Sequence, residues 1–154
     1  MKKVMFTIVF GVLSTGLMAQ VAFKDTRMDE AYKNYLQLKD ALVASNANAA
    51  KQAAGKLKTS LTSLKDSKSA IADAAKITNA NDLDKIRETF APLSTAMTAM
   101  VKGGQLSRGM LYLEYCPMAN NNAGAYWLAN EKEIKNPYFG DKMLKCGSVK
   151  EMIH

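Results

Sequence analysis

Histidine is almost missing from this chain: the only one, His154, is the last of 154 residues. General acid–base chemistry and Cys–His nucleophile pairs both want a base held within hydrogen-bond reach of the reacting group, which a lone terminal imidazole serves poorly. There is no Cys-x-x-Cys pair, no glycine-rich phosphate loop, and no spacing of carboxylates with histidine that would chelate a hard metal. The chain is therefore expected not to be an enzyme. No fixed-period repeat is present either, which excludes solenoids and propellers. The net charge of +7 comes from lysines spread among acidic residues. Nucleic-acid binding would want a basic stripe interleaved with aromatics, so no nucleic-acid partner is expected.

What is present begins with a leader. Lys2 and Lys3 form a positive start, Val4 to Met18 is an uncharged apolar run, and Leu17-Met18-Ala19 offers small or neutral side chains for signal peptidase. This predicts a signal peptide over 1–19, a mature N-terminus at Gln20, and export to the periplasm or beyond. The run is short for the roughly 20 apolar residues of a bilayer span, and no charge cluster follows to stop transfer. No membrane insertion is expected after cleavage. The mature part would be 135 residues carrying +5, enough for a single domain over 20–154.

Helical periodicity dominates from Thr26 to Lys102. Thr26 with Asp29 resembles a capping box, and Met28, Tyr32, Tyr35, Leu38/Lys39 and Leu42 follow at helix spacing. Asn46 or Asn48 can cap a second helix with the face Ala50, Ala53, Ala54, Leu57, Leu61 and Leu64. Ala70 to Ile77 continues that helix or starts another after Ser67. Leu83, Ile86, Phe90, Leu93, Met97 and Met100 alternate steps of three and four, Pro92 falls on the opposite side, and Gly103-Gly104 supplies the stop. Beyond Gly104, proline, glycine and an Asn120-Asn121-Asn122 tract break every pattern except a short strand-like run from Met110 to Tyr115. The expected fold class is all-α: an up-and-down antiparallel bundle followed by an irregular, loop-rich C-terminal segment with room for one short strand.

That segment holds the candidate chemistry. Tyr115-Cys116-Pro117-Met118 places a thiol and a thioether two residues apart, and Met143-Leu144-Lys145-Cys146 places the same pair three apart. Such soft donors select Cu(I) or Ag(I) over Mg²⁺ or Ca²⁺, so Cys116, Met118, Met143 and Cys146 form a candidate ligand pool. The same cysteines, in an oxidising compartment, can instead pair as a disulfide, a constraint contributing roughly 3–4 kcal/mol. On that second reading the two methionines only pack, and the chain is an interaction module.

These residues also carry a resemblance. Tyr115 to Ala119, Gly124, Trp127-Leu128, Ile134, Asn136-Pro137-Tyr138-Phe139-Gly140, Met143 and Cys146-Gly147, with Phe90 to Ser94 and Met97 upstream, resemble the bacterial domain of unknown function numbered 3347, over roughly 32–153. The resemblance implies a small exported protein, or a relative of appendages on the periplasmic adaptors of copper and silver efflux pumps. Metal handling beside such an adaptor follows as an expectation. Tyr-Cys-Pro-Met looks like the core of a heavy-metal-binding motif in those systems, which usually continues with His-Pro. Here Ala119-Asn120 stands in that place, so the imidazole ligand is missing.

Overall fold

The computed structural model describes residues 21–154, and the expected signal peptide lies outside the described residues. Four helices come first, α1 (Thr26–Val43), α2 (Ala47–Leu61), α3 (Lys68–Thr78) and α4 (Leu83–Gly103), each packed on the next. No described helix is long and apolar enough to cross a membrane. Their buried faces are the periodic ones: Met28, Tyr32, Tyr35, Leu38 and Leu42 on α1, the alanine and leucine face of α2, and Ile86, Phe90, Leu93 and Met97 on α4. Pro92 sits inside α4 and points to solvent. Asn46 caps α2 by accepting from Ala49 N. The start of α1 differs from the capping-box expectation: Asp25 is the cap, and Asp29 reaches back to accept from Phe23 N at 2.7 Å.

The all-α expectation is wrong. Five strands follow or flank the helices: β1 (Ala22–Phe23), β2 (Leu106–Arg108), β3 (Leu111–Cys116), β4 (Ala125–Ala129) and β5 (Ser148–Ile153). β1 and β2 pair as a small antiparallel ribbon, and the other three form an antiparallel sheet in the order β4-β3-β5. The fold is thus mixed, with helices first and a strand-rich C-terminal half. Two of the three sheet strands carry weak strand signals: β4 is three-fifths alanine or leucine, and β5 reads Ser-Val-Lys-Glu-Met-Ile with little buried. β3 does not alternate cleanly in burial: Leu111, Leu113, Glu114 and Cys116 are buried while Tyr112 and Tyr115 are half-buried. The face bearing Tyr112, Glu114 and Cys116 is open at Tyr112 and sealed at the other two.

A run of ring contacts welds the halves together. Phe23, Tyr32, Tyr35, Phe90, Tyr138 and Trp127 meet in sequence, with centroids 5.5 to 6.1 Å apart. The Tyr35 hydroxyl accepts from Leu128 N at 3.0 Å and shares a 2.6 Å hydrogen bond with Ser94 Oγ, so α1 is tied to both α4 and β4.

Candidate metal centre

Two segments converge on the end of β3. The first is the turn leaving it. Cys116 closes the strand and is fully buried, and its carbonyl accepts from Ala119 N. The turn then runs through Asn120, Asn121 and Asn122, all left-handed at φ 53°, 56° and 65°, a conformation asparagine tolerates better than other side chains. Gly124, also at positive φ, lets the chain pass the Tyr115 ring, since any Cβ there would overlap the phenol hydroxyl.

The second segment is Asn136 to Gly147. Asn136 is fully buried and every polar group on it is used: Nδ2 donates to Cys146 O at 2.7 Å, Oδ1 accepts from Tyr138 N and Phe139 N, and its N–H donates to Leu144 O. Arg87 on α4 holds the same segment from below. Its Nε donates to Pro137 O at 3.0 Å, and its NH2 group donates to Leu42 O and Ser45 Oγ at the C-terminal end of α1. A cation at a helix C-terminus answers the partial negative charge of its free carbonyls. Gly147 then passes so close to Tyr115 O and the Trp127 ring that a Cβ would sit 2.9 Å from each. That approach starts β5 opposite Tyr115 and sets Cys146 beside Cys116.

The two thiols are neighbours and both are free. The Cys146 thiol is pushed up to about 11, first by its hydrogen bond with Cys116, then by burial and by the charge Cys116 can carry. Met118, about half exposed, and the half-buried Met143 line an open cleft of about 600 Å³ between the Asn120–Asn122 turn and the start of α4. Tyr138 also lines that cleft, and its phenol, raised mainly by burial, senses Cys116 as a minor effect. Among the described residues no group of three or more His, Cys, Asp or Glu could hold a metal ion.

Glu114 and Lys39 are charged residues that are fully buried, and of the two only Lys39, beside Leu38 on the periodic face of α1, had a signal in the spacing. Glu114, two residues before Cys116 on the same face, is fully buried with neither carboxyl oxygen in a well-formed hydrogen bond, and the indole N–H of Trp127 directly across the ladder, likewise without one, is the nearest polar group to answer it. Burial drives the Glu114 carboxyl up to about 7, against a weaker pull downward from Trp127 and Lys39. Lys39, equally buried, pairs with Asp40 at 2.8 Å and with Glu131 at 3.8 Å. Arg87 also escaped the sequence reading, and Asn136 entered it only within the family motif, without a role. Arg87 had one signal: it neighbours Ile86 on a face that is otherwise apolar.

A family model described as "Protein of unknown function (DUF3347)" matches residues 31–109, just over half of the chain. The matched stretch covers the helices and β2 and stops before β3, so it does not reach the sulfur-bearing segments. No curated protein and no solved structure matches the chain.

Proposed function

The chain belongs to the DUF3347 family, and from that premise we propose that it is an exported protein that binds a soft monovalent metal, Cu(I) or Ag(I), through its C-terminal sulfurs. The observation that carries this reading is the adjacency of Cys116 and Cys146, two thiols from segments 30 positions apart that share a hydrogen bond. Two thiolates are enough for the linear coordination such ions accept, and Met118 and Met143 are thioether donors for a transient or third contact. A thiol held near 11 keeps its proton at neutral pH, so binding releases protons and tightens as pH rises.

Support for the setting comes from the leader: a basic start and an apolar run ending at Ala19 suit secretion. In an oxidising compartment a thiol–disulfide oxidant can take two electrons and two protons from the same pair, leaving a bridge that cannot chelate. The oxidised form would then be the disulfide-pinned interaction module, and the two readings become redox states of one protein. A periplasmic efflux adaptor is the kind of partner to which such a carrier would deliver.

The test is anaerobic competition for Cu(I) against a coloured chelator, on reduced protein and on Cys116→Ser and Cys146→Ser. Uptake by the reduced protein that either substitution abolishes supports the reading, and equal uptake by all three ends it. Mass measurement of the exported product decides whether the chain starts at Gln20.

A further inference from the structure

Four large apolar side chains stand exposed among the described residues, and three are methionines: Met110, Met118 and Met152. Met110 and Met152 are 40% and 55% exposed, far more than packing at a strand edge requires. The β3–β5 ladder explains why they belong together. Leu111 pairs with Ile153 and Tyr112 with Met152. One step further along the same register sets Met110 opposite His154. Alternation puts Met110 on the face of Tyr112, so Met110, Met152 and His154 share one face. Directly opposed side chains on such a face have Cβ atoms about 5 Å apart and diagonal ones about 7 Å, within the span of methionine's three rotatable bonds.

We propose that Met110, Met152 and His154 form a second site for a soft monovalent cation, Cu(I) or Ag(I), at the open end of the β3–β5 ladder. It lies at the opposite end of β3 from Cys116 and needs neither cysteine. Two thioethers and one imidazole are neutral donors of matching softness, and they bind without releasing a proton from sulfur. Solvent reaches all three residues. Met110 and Tyr112 also line an open groove of about 1040 Å³ against α1. The charged groups of that groove are Asp29, Glu30 and Glu131 against Lys33 and Arg108, so an arriving cation meets no excess of positive charge. The chain's single histidine is thereby placed beside two of its least buried thioethers.

The experiment is anaerobic titration of silver nitrate into the reduced full chain with ¹³C-labelled methionine methyls, repeated on Met110→Leu/Met152→Leu/His154→Gln and on Cys116→Ser/Cys146→Ser. The three substitutions in the first variant are at exposed positions, so its fold is not at risk. Expected are silver-dependent shifts of the Met110 and Met152 methyls and of the His154 ring. Those shifts should persist in the cysteine variant, and the first variant should lose that binding event while keeping any cysteine-dependent one. If the thiol pair takes no silver, the wild type still shows the ladder-end event alone, so the two readings fail separately. Absence of the Met110 and Met152 shifts, or binding unchanged by the first variant, overturns the proposal. Should the cysteine variant not fold, the comparison of wild type with the first variant decides.

Discussion

The helical half and the sheet half of this molecule are held by different kinds of force. α1 to α4 bury chiefly alanine, leucine, isoleucine and aromatic side chains at regular spacing, with caps such as Asn46 and Asp82 at their starts and only a few buried polar groups, Lys39 and Ser94 among them. The sheet half buries Glu114 and Asn136 and is gripped by Arg87 from α4, and its path depends on three left-handed asparagines and on glycines that sit against other backbone. In the first half, stability comes from area removed from water, which tolerates substitution by degrees. In the second it hangs on a few polar groups, each of which either has all its partners or is costly.

The sharpest way to break that contrast is Asn136→Ala. It strands the Cys146 carbonyl and the Tyr138 and Phe139 N–H groups at once, and each orphaned buried group costs about 1–3 kcal/mol. A loss of about 3–4 kcal/mol by urea unfolding is expected, with the sheet half loosening first in hydrogen exchange. A loss below about 1 kcal/mol would mean that the segment is held by packing alone, as the helices are.

Glu114 is the next largest lever, and its sign runs opposite to that of a salt-bridged acid. Its folded pKa, about 7, lies above the ordinary 4.5, so between those values the native state binds more protons than the unfolded chain. Its contribution is therefore most favourable below about pH 4.5, declines as pH rises through 7, and is level above that. Glu114→Gln removes the buried charge, and its stability relative to wild type should rise by up to about 3 kcal/mol between pH 4.5 and 8. Thermal unfolding at both pH values checks this. A pH-independent difference would place an unrecognised partner on the carboxylate.

These two residues also mark where the sequence stopped being legible. The helices could be read because a stripe of Leu83, Ile86, Phe90, Leu93 and Met97 has one physical meaning, and because Asn46 before an apolar face is a cap by chemistry. Of the strands only β3 could be read, as the run from Met110 to Tyr115; β4, with two alanines and a leucine, looks equally helical, and β5 buries too little to show a pattern. Of the candidate site, the meeting of Cys116 with Cys146 was visible only as an assumption about two distant cysteines. Its cause lies in Gly147 and Asn136, whose roles exist only once the segments are folded together. That Met118 and Met143 line one cleft is likewise something spacing along the chain cannot express.

A smaller effect probes the thiol pair itself. Cys116→Ala removes the hydrogen bond that does most to raise the Cys146 thiol, so its thiolate fraction at pH 8 should climb. Alkylation of Cys146 is expected to quicken about tenfold, equivalent to roughly 1.4 kcal/mol in thiolate stability, as followed by mass spectrometry. An unchanged rate would mean that burial, not the neighbouring thiol, governs the group.

The smallest expected change serves as the control for all of these. Asn46→Ala deletes the 3.0 Å acceptor for Ala49 N at the start of α2 and should cost about 1 kcal/mol. Because that bond is local to the helical half, the loss should come without any pH dependence and without altering Cys146 alkylation. If Asn46→Ala quickened alkylation as much as Cys116→Ala does, the halves would be one cooperative unit and the thiols would report global opening. If it left the rate untouched, the sheet half would hold its sulfurs by its own polar contacts, and a metal bound there could tighten that half without first remaking the bundle.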